Sequence, residues 1–357
     1  MGKRKTSPPN QTQGKSQKIA STLRKAIVSG KYKPGQQLPT RVILERKYKV
    51  SPETLQRSFD ELKADGFLRA QRRGGTFVVD FPPHLHRYGL ALGSKLDDPG
   101  YPQFFKVLAE QANAMDGQDH ASIPVYLGVA DKVENQGITD LTYDLKHQRL
   151  AGVIYCGFVP ECFKSATIPQ ILISNTRQKA MSYSLLAMST EQYVRKAVSH
   201  FAKQGCKRLG VLGIVGWERK ALGTLIDACG EAGIVFEDQW FQSVSLTEPQ
   251  TARRITHLMM HADNRRRPDA LLIADDNIIE YVKGGLIDAG ATVQKDVCVI
   301  AHANFPSPSD DQWPMRRLGY DARQVIRSGQ QLIDEMQCPD ARPQISAIEP
   351  FFEDELI

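Results

Sequence analysis

From Ser16, the residues Ile19, Leu23, Ile27 and Val28 return to one side of a helix, and the pattern stops at Gly30 and the Pro34-Gly35 turn. Thr40 stands where it can cap a second helix with Val42, Ile43, Leu44 and Tyr48 on its apolar side. A short join, "KVS", leads to a third helix. Ser51 is its N-cap, Pro52 takes the first helical position, Glu53 and Thr54 lie in the first turn, and Leu55, Phe59 and Leu62 form the apolar stripe. Two helices joined so tightly, the second with Glu53, Gln56 and Arg57 opposite its stripe, predict a helix-turn-helix. "GFLRAQRRGGTFVV" then reads as strand, glycine turn and strand, a β-hairpin wing with Arg72 and Arg73 at its tip, followed by Gly74, Gly75 and Thr76.

After the Pro-containing connector "DFPPHLHRY" the pattern changes to strands and helices in alternation, the order of a parallel α/β sheet. "YGLALG", "ASIPVYLGV", "LAGVIYCG" and "IPQILIS" read as strands, with helices over "YPQFFKVLAEQANAM" and "ITDLTYDLKHQ". A second set runs through "EQYVRKAVSHFAKQG", "RLGVLGI", "RKALGTLIDACGEAG", "DALLIADD", "IIEYVKGGLIDAG", "VCVIAHA" and "ARQVIRSGQQLIDEM". Two sets predict two similar lobes. The expected organisation is an α/β chain with a disordered basic arm over residues 1–15, a small winged helix-turn-helix over 16–80, a linker over 81–87 and a two-lobed domain over 88–357 that also dimerises.

Composition narrows the function. At 357 residues and 41% hydrophobic the chain can bury one small and one large core. Residues 1–80 carry 18 Lys and Arg against 6 Asp and Glu, a net of +12, while the whole chain is only +6. The basic head is therefore expected to meet a polyanion, and the charge of the acidic body gives no reason to extend that contact past residue 80. No apolar run is long enough to span a membrane or to serve as a secretory signal, so a cytoplasmic protein with no membrane partner is expected. The six cysteines show neither a Cys-x-x-Cys pair nor metal-ligand spacing with histidine, and they are expected to be reduced, with no metal site.

The head resembles the winged-helix DNA-binding domain of GntR-type bacterial regulators, through "LRKAIVSGKYKPGQQLPT" and "KYKVSPETLQRSFDELKADGFLRAQRRGGTFV". The chain departs from that family at reading positions: Val42 where an arginine is usual, with Arg41 beside it, Pro52 where an arginine follows Val-Ser, and Arg73 where the wing has its first glycine. The resemblance implies a double-stranded DNA operator as partner. Thr40, Arg41, Ser51, Glu53, Thr54, Gln56, Arg57, Arg72, Arg73, Gly74, Gly75 and Thr76 are the candidate contacts, with Gln56 able to pair with adenine and Arg57 with guanine.

The body resembles the effector-binding core of LacI-type repressors, through "HFAKQGCKRLGVLG", "WERKALGTLIDACGEAGI", "RPDALLIADDN", "GLIDAGATVQKDVCVIAHAN" and "LGYDARQVIRSGQQLI". The LacI-type head and hinge helix are replaced by the winged helix. The resemblance implies a ligand-responsive regulator, with a small molecule such as a sugar or sugar derivative held between the lobes by Tyr101, Phe104, Asn175, Arg219, Asp275 and Asn304. It also implies closure of the lobes about crossings near Ser189 and Gly319. Ser189 stands where an aspartate is usual, and with Asn304 it makes the pocket less acidic than a typical sugar site. Two other classes fit less well: a head fused to a pyridoxal-phosphate aminotransferase, which needs a longer body and a Schiff-base lysine, and a solute-binding protein, which needs a signal peptide. No catalytic constellation or cofactor motif is present in the pattern, so neither enzyme activity nor a cofactor is expected.

Overall fold

The computed structural model describes residues 9–72, 74–95, 102–130, 135–174, 182–307, 313–338 and 340–356. The head is built from α1 (Pro9–Val28), α2 (Arg41–Tyr48), α3 (Pro52–Ala64), β1 (Leu68–Gln71) and β2 (Gly75–Val78). Its core is Ile19, Leu23, Ile27, Leu44, Leu55, Phe59, Leu62, Phe67 and Val78, all buried. The arm expected over residues 1–15 is narrowed, because α1 begins at Pro9, where the fixed φ of proline and its missing N–H suit a helix start. Residues 1–8 lie outside the described residues. Val42 and Ile43 also depart from expectation. Both are 55% exposed, because only Leu44 of that apolar run points into the core.

The connector is folded: it forms the short helix α4 (Pro83–His86) and runs straight into lobe 1. That lobe comprises β3 (Tyr88–Leu92), α5 (Gln103–Met115), β4 (Val125–Tyr126), α6 (Gln136–Lys146), β5 (Gly152–Cys156), β6 (Gln170–Ser174) and β7 (Ser184–Met188). Lobe 2 follows with α7 (Thr190–Lys203), β8 (Arg208–Ile214), α8 (Glu218–Ala232), β9 (Val235–Val244), α9 (Gln250–Met260), β10 (Ala270–Ile273), α10 (Ile279–Asp288), β11 (Cys298–Phe305) and β12 (Arg316–Asp321). The chain then returns to lobe 1 for α11 (Ala322–Met336) and β13 (Ile345–Ile348), and ends on lobe 2 with β14 (Phe351–Phe352).

Each lobe holds a six-stranded sheet, ordered β13-β7-β6-β5-β3-β4 in lobe 1 and β14-β12-β11-β10-β8-β9 in lobe 2. Every pairing is parallel except β12 with β14. The central strands are fully buried apolar runs, as a sheet covered on both faces requires. The strand expected over "ASIPVYLGV" shrinks to two residues at a sheet edge.

The chain crosses between lobes after β7 at Ser189, after β12 at Asp321, and between β13 and β14. The first two correspond to the crossings expected near Ser189 and Gly319; the third was not anticipated. Side chains tie the crossings together. The Tyr320 hydroxyl donates to the Ser189 carbonyl at 3.1 Å, and the Gln192 amide donates to Glu349 at 3.4 Å.

At Gly319 in β12 the backbone of β11 comes so close that a Cβ would lie 1.7 Å from the Ala303 carbonyl oxygen. Gly319→Ala should destabilise lobe 2 by roughly 3 kcal/mol, the upper end for overpacking. Gly230→Ala, on α8 with no atom within 4 Å of the new methyl, should instead stabilise by roughly 0.5–1 kcal/mol. Urea denaturation midpoints of the two variants check both signs.

Candidate nucleic-acid interface and ligand cleft

The reading helix α3 starts as its sequence predicts. Ser51 caps it, with the hydroxyl accepting from the Thr54 amide at 3.4 Å, and Pro52 follows. Ser51, Glu53 and Arg57 are exposed along its first turns. Gln56 is half-buried, and its amide donates to Asp60 at 2.7 Å, a bond that has to open before Gln56 can meet a base. Hydrogen bonds from its own backbone N–H and from the Ser51 hydroxyl hold the Glu53 carboxyl below the usual carboxylate range. Thr54 does not belong to the exposed set. It is buried at 4%, because its position on the helix turns the side chain toward the core, where its hydroxyl lies 3.2 Å from Ser51 Oγ.

The wing is anchored beside the start of α2. Gln37 Nε2 donates to the Gly74 carbonyl at 2.7 Å, and the Leu38 amide donates to the Thr76 carbonyl at 2.9 Å. Gly75 has φ +106°, a conformation that favours glycine, and a Cβ there would meet Gln37. Thr40 and Arg41 are exposed beside this wing, and the Arg41 guanidinium lies 5.8 Å from the Phe59 ring centre. Arg72 is exposed at the wing turn. Arg73 lies outside the described residues.

Between the lobes lies a cleft of about 710 Å³, lined by strand ends and helix starts of both. Phe104, Arg219, Asp275 and Asn304 all reach it. Tyr101 and Asn175 lie outside the described residues. Sequence reasoning missed Asp276, Tyr193, Trp217, Thr190 and His302, which also line the cleft. The signals were local: Asp276 adjoins Asp275, and His302 shares a strand face with Asn304 two residues on.

The cleft floor is aromatic. Tyr193 meets His302 edge-on at 5.4 Å and Trp217 at 6.5 Å, and His302 lies 6.1 Å from Tyr320. Asn304 is 1% exposed and donates its amide to Asp276 at 2.7 Å, while its carbonyl Oδ1 has no partner among the described residues. The buried Tyr193 hydroxyl also lacks one. Burial raises the Asp276 carboxyl above the usual carboxylate range, against the lowering effect of His302. At one edge of the cleft the lobes touch: the Gln103 amide, at the start of α5, donates to Asn277 Oδ1 at 3.1 Å.

Residues 15–78 match the family model "Bacterial regulatory proteins, gntR family", and residues 198–345 match "Periplasmic binding protein-like domain". The chain joins a GntR-type DNA-binding domain to a periplasmic-binding-protein-like domain. No curated protein matches it in sequence. Solved structures share the fold at low identity. A LacI-type transcription regulator from Bifidobacterium animalis subsp. lactis DSM 10140 is 18% identical, with TM-score 0.57 over 74% of this chain and 96% of its own. The transcription regulator CcpA of Lactococcus lactis is 12% identical, with TM-score 0.56 over 75% and 97%. The transcriptional regulator CelR, solved in complex with cellobiose, is 14% identical, with TM-score 0.58 over 85% and 90%.

The GntR-type head is packed to the body through the connector. The His84 ring stacks on Phe67 of the head at 5.8 Å, and Phe81 stacks on His120 of lobe 1 at 3.9 Å. Among the described residues one group, Glu61, Asp65 and His147, has possible metal-ligand atoms within 4.8 Å of one another, but Arg24 is bonded to both carboxylates, so the group is an ion-pair node. Burial, then the charge of His86, lowers the His84 imidazole from 6.5 to about 4. A lowered pKa means that the folded state favours the neutral ring: its stabilisation is complete above pH 6.5 and is lost as pH falls toward 4. The thermal midpoint should therefore drop between pH 6.5 and 4.5, and less steeply in His84→Phe, which keeps the stack and removes the proton site. Equal slopes in the two proteins would contradict this.

Proposed function

We propose that the protein is a homodimeric repressor that binds a pseudo-palindromic double-stranded DNA operator through its winged helix and leaves it when a small polyhydroxylated molecule, a sugar or sugar derivative, enters the cleft. The observation that carries the ligand side is the pair of buried, unpartnered polar groups, Asn304 Oδ1 and the Tyr193 hydroxyl, beside the Phe104 and Trp217 rings. An unpaired buried polar atom costs about 1–3 kcal/mol, which a ligand hydroxyl recovers. Aromatic rings supply faces for the apolar side of a sugar ring, and Arg219, Asp275 and Asp276 supply donors and acceptors at the edge. The cellobiose bound by CelR, which shares this fold, supports the ligand class.

The dimer reading follows from the reading surface, since one short helix covers few base pairs and twofold pairing doubles the contact. Leu222 and Ile226, one turn apart on α8, and Val235 on the edge strand β9 are exposed apolar residues suited to a second copy. The protein works without enzymatic activity, as a regulator in the cytoplasm; no described helix is long and apolar enough to cross a membrane.

Arg219→Ala should leave operator affinity unchanged and abolish the ligand response, because Arg219 reaches the cleft and is remote in sequence and fold from the head. Fluorescence anisotropy on operator DNA, with and without a panel of sugars, checks this; a fully responsive variant would show that the cleft is not the effector site. Arg57→Ala should cost about 1–3 kcal/mol on the operator and relax preference at one base pair. For about six phosphate contacts, affinity should fall roughly 10³-fold between 50 and 200 mM salt.

A further inference from the structure

We propose that a buried polar node centred on Asp65 makes the winged helix and lobe 1 one rigid unit, and that this unit decides which spacing of DNA half-sites the dimer accepts. The inference rests on the dimeric operator binding proposed above.

Asp65 is the C-cap of the reading helix α3 and is only 2% exposed. Its carboxylate receives Arg24 of α1 at 2.5 Å from within the head. The other partners belong to lobe 1: the Tyr143 hydroxyl of α6 donates at 2.9 Å, and Arg149 makes a longer ion-pair contact, its Nε 3.9 Å away. Arg149 also holds Asp144 at 2.9 Å, and Asp144 is itself buried at 4%. The second oxygen of Asp144 accepts from Tyr126 at 2.5 Å and from Arg87, the last residue of the connector, at 2.9 Å. Two buried carboxylates, bridged by Arg149, thus bind the end of the reading helix, the core of lobe 1 and the far end of the connector into one network.

The lever arm shows why this matters. Ser51 and Asp65 stand at opposite ends of α3, about 20 Å apart at 1.5 Å per residue. A tilt of about 10° at Asp65 moves the reading end by about 3.5 Å, close to the 3.4 Å step between successive bases along a strand. A head held only by residues 81–87 has about 23 Å of chain with which to adjust, and would accept several half-site spacings. Partners on both sides of a buried carboxylate remove that freedom, because moving the head parts Asp65 from the Tyr143 hydroxyl and from the Arg149 charge.

The test uses the full-length protein and an operator obtained from it by in vitro selection, re-synthesised with zero to six base pairs inserted between the half-sites. The variant is Tyr143→Phe combined with Arg149→Met, which removes the lobe-1 hydroxyl donor and the lobe-1 cation, keeps side-chain bulk and leaves the Arg24 pair within the head. The wild type should lose tenfold or more in affinity after one or two inserted base pairs. The variant should bind all spacings within about threefold of one another, and should bind a single half-site as the wild type does. Arg149→Lys, which keeps a cation, should restore part of the discrimination. Tyr143→Phe alone, the milder change, should flatten the profile partway and serves if the double variant does not fold. A folded variant that keeps the wild-type spacing profile while sedimenting as a dimer on DNA overturns this inference alone. Wild type sedimenting as a monomer on DNA overturns the dimer reading and this inference with it.

Discussion

A carboxylate withdrawn from water must be matched by donors and cations that stay with it, and the partners of Asp65 come from two folding units. Arg24 belongs to the head, Tyr143 and Arg149 to lobe 1. Breaking such a group by removing one partner costs about 3–5 kcal/mol, far more than an exposed ion pair contributes. The head, the connector and lobe 1 are therefore held in one arrangement, and the stacks of His84 on Phe67 and Phe81 on His120 fill the apolar part of the same junction.

The cleft follows a different logic. Three crossings join the lobes, and hydrogen bonds from Tyr320 to Ser189 and from Gln192 to Glu349 tie them to one another. The strand ends that face the opening bring Asp276, His302 and Asn304 together, and two of the buried polar atoms without partners among the described residues, Asn304 Oδ1 and the Tyr193 hydroxyl, belong to residues that line it. Buried polar atoms left open at a cleft lined by aromatic rings give a ligand groups to pair with.

The reading surface shows how local geometry edits a list of candidate contacts. Ser51, Glu53 and Arg57 are turned outward by the same helical period that buries Leu55, Phe59 and Leu62. Thr54 falls on the inner side of that period. Gln37 links the wing to the segment before α2, so the exposed Thr40 and Arg41 share an edge with the wing and not with the body. Val42 and Ile43, apolar yet more than half exposed, lie on that edge as well.

Periodicity and punctuation alone determined the elements with strong local signals. The end of α1 and the whole of α3 follow apolar stripes, a serine cap and a proline; β8 and α11 match their expected spans because their apolar patterns are dense and bounded by glycine or aspartate. Phe104, Arg219, Asp275 and Asn304 came from the resemblance to LacI-type repressors, and the structure brings all four to the cleft. Strands β7, β9, β12, β13 and β14 were not legible, because short, edge or half-polar segments carry little periodicity and become regular only when a neighbour completes their hydrogen bonds; helix α9 was passed over although Ala252, Met259 and Met260 mark a buried side at helical spacing. Only the tertiary structure decided that Val42 faces outward, that the connector is folded, and that Asp65 and Tyr143, 78 positions apart, form one bond. Such contacts depend on where two separately folded surfaces meet, which no pattern within either segment encodes.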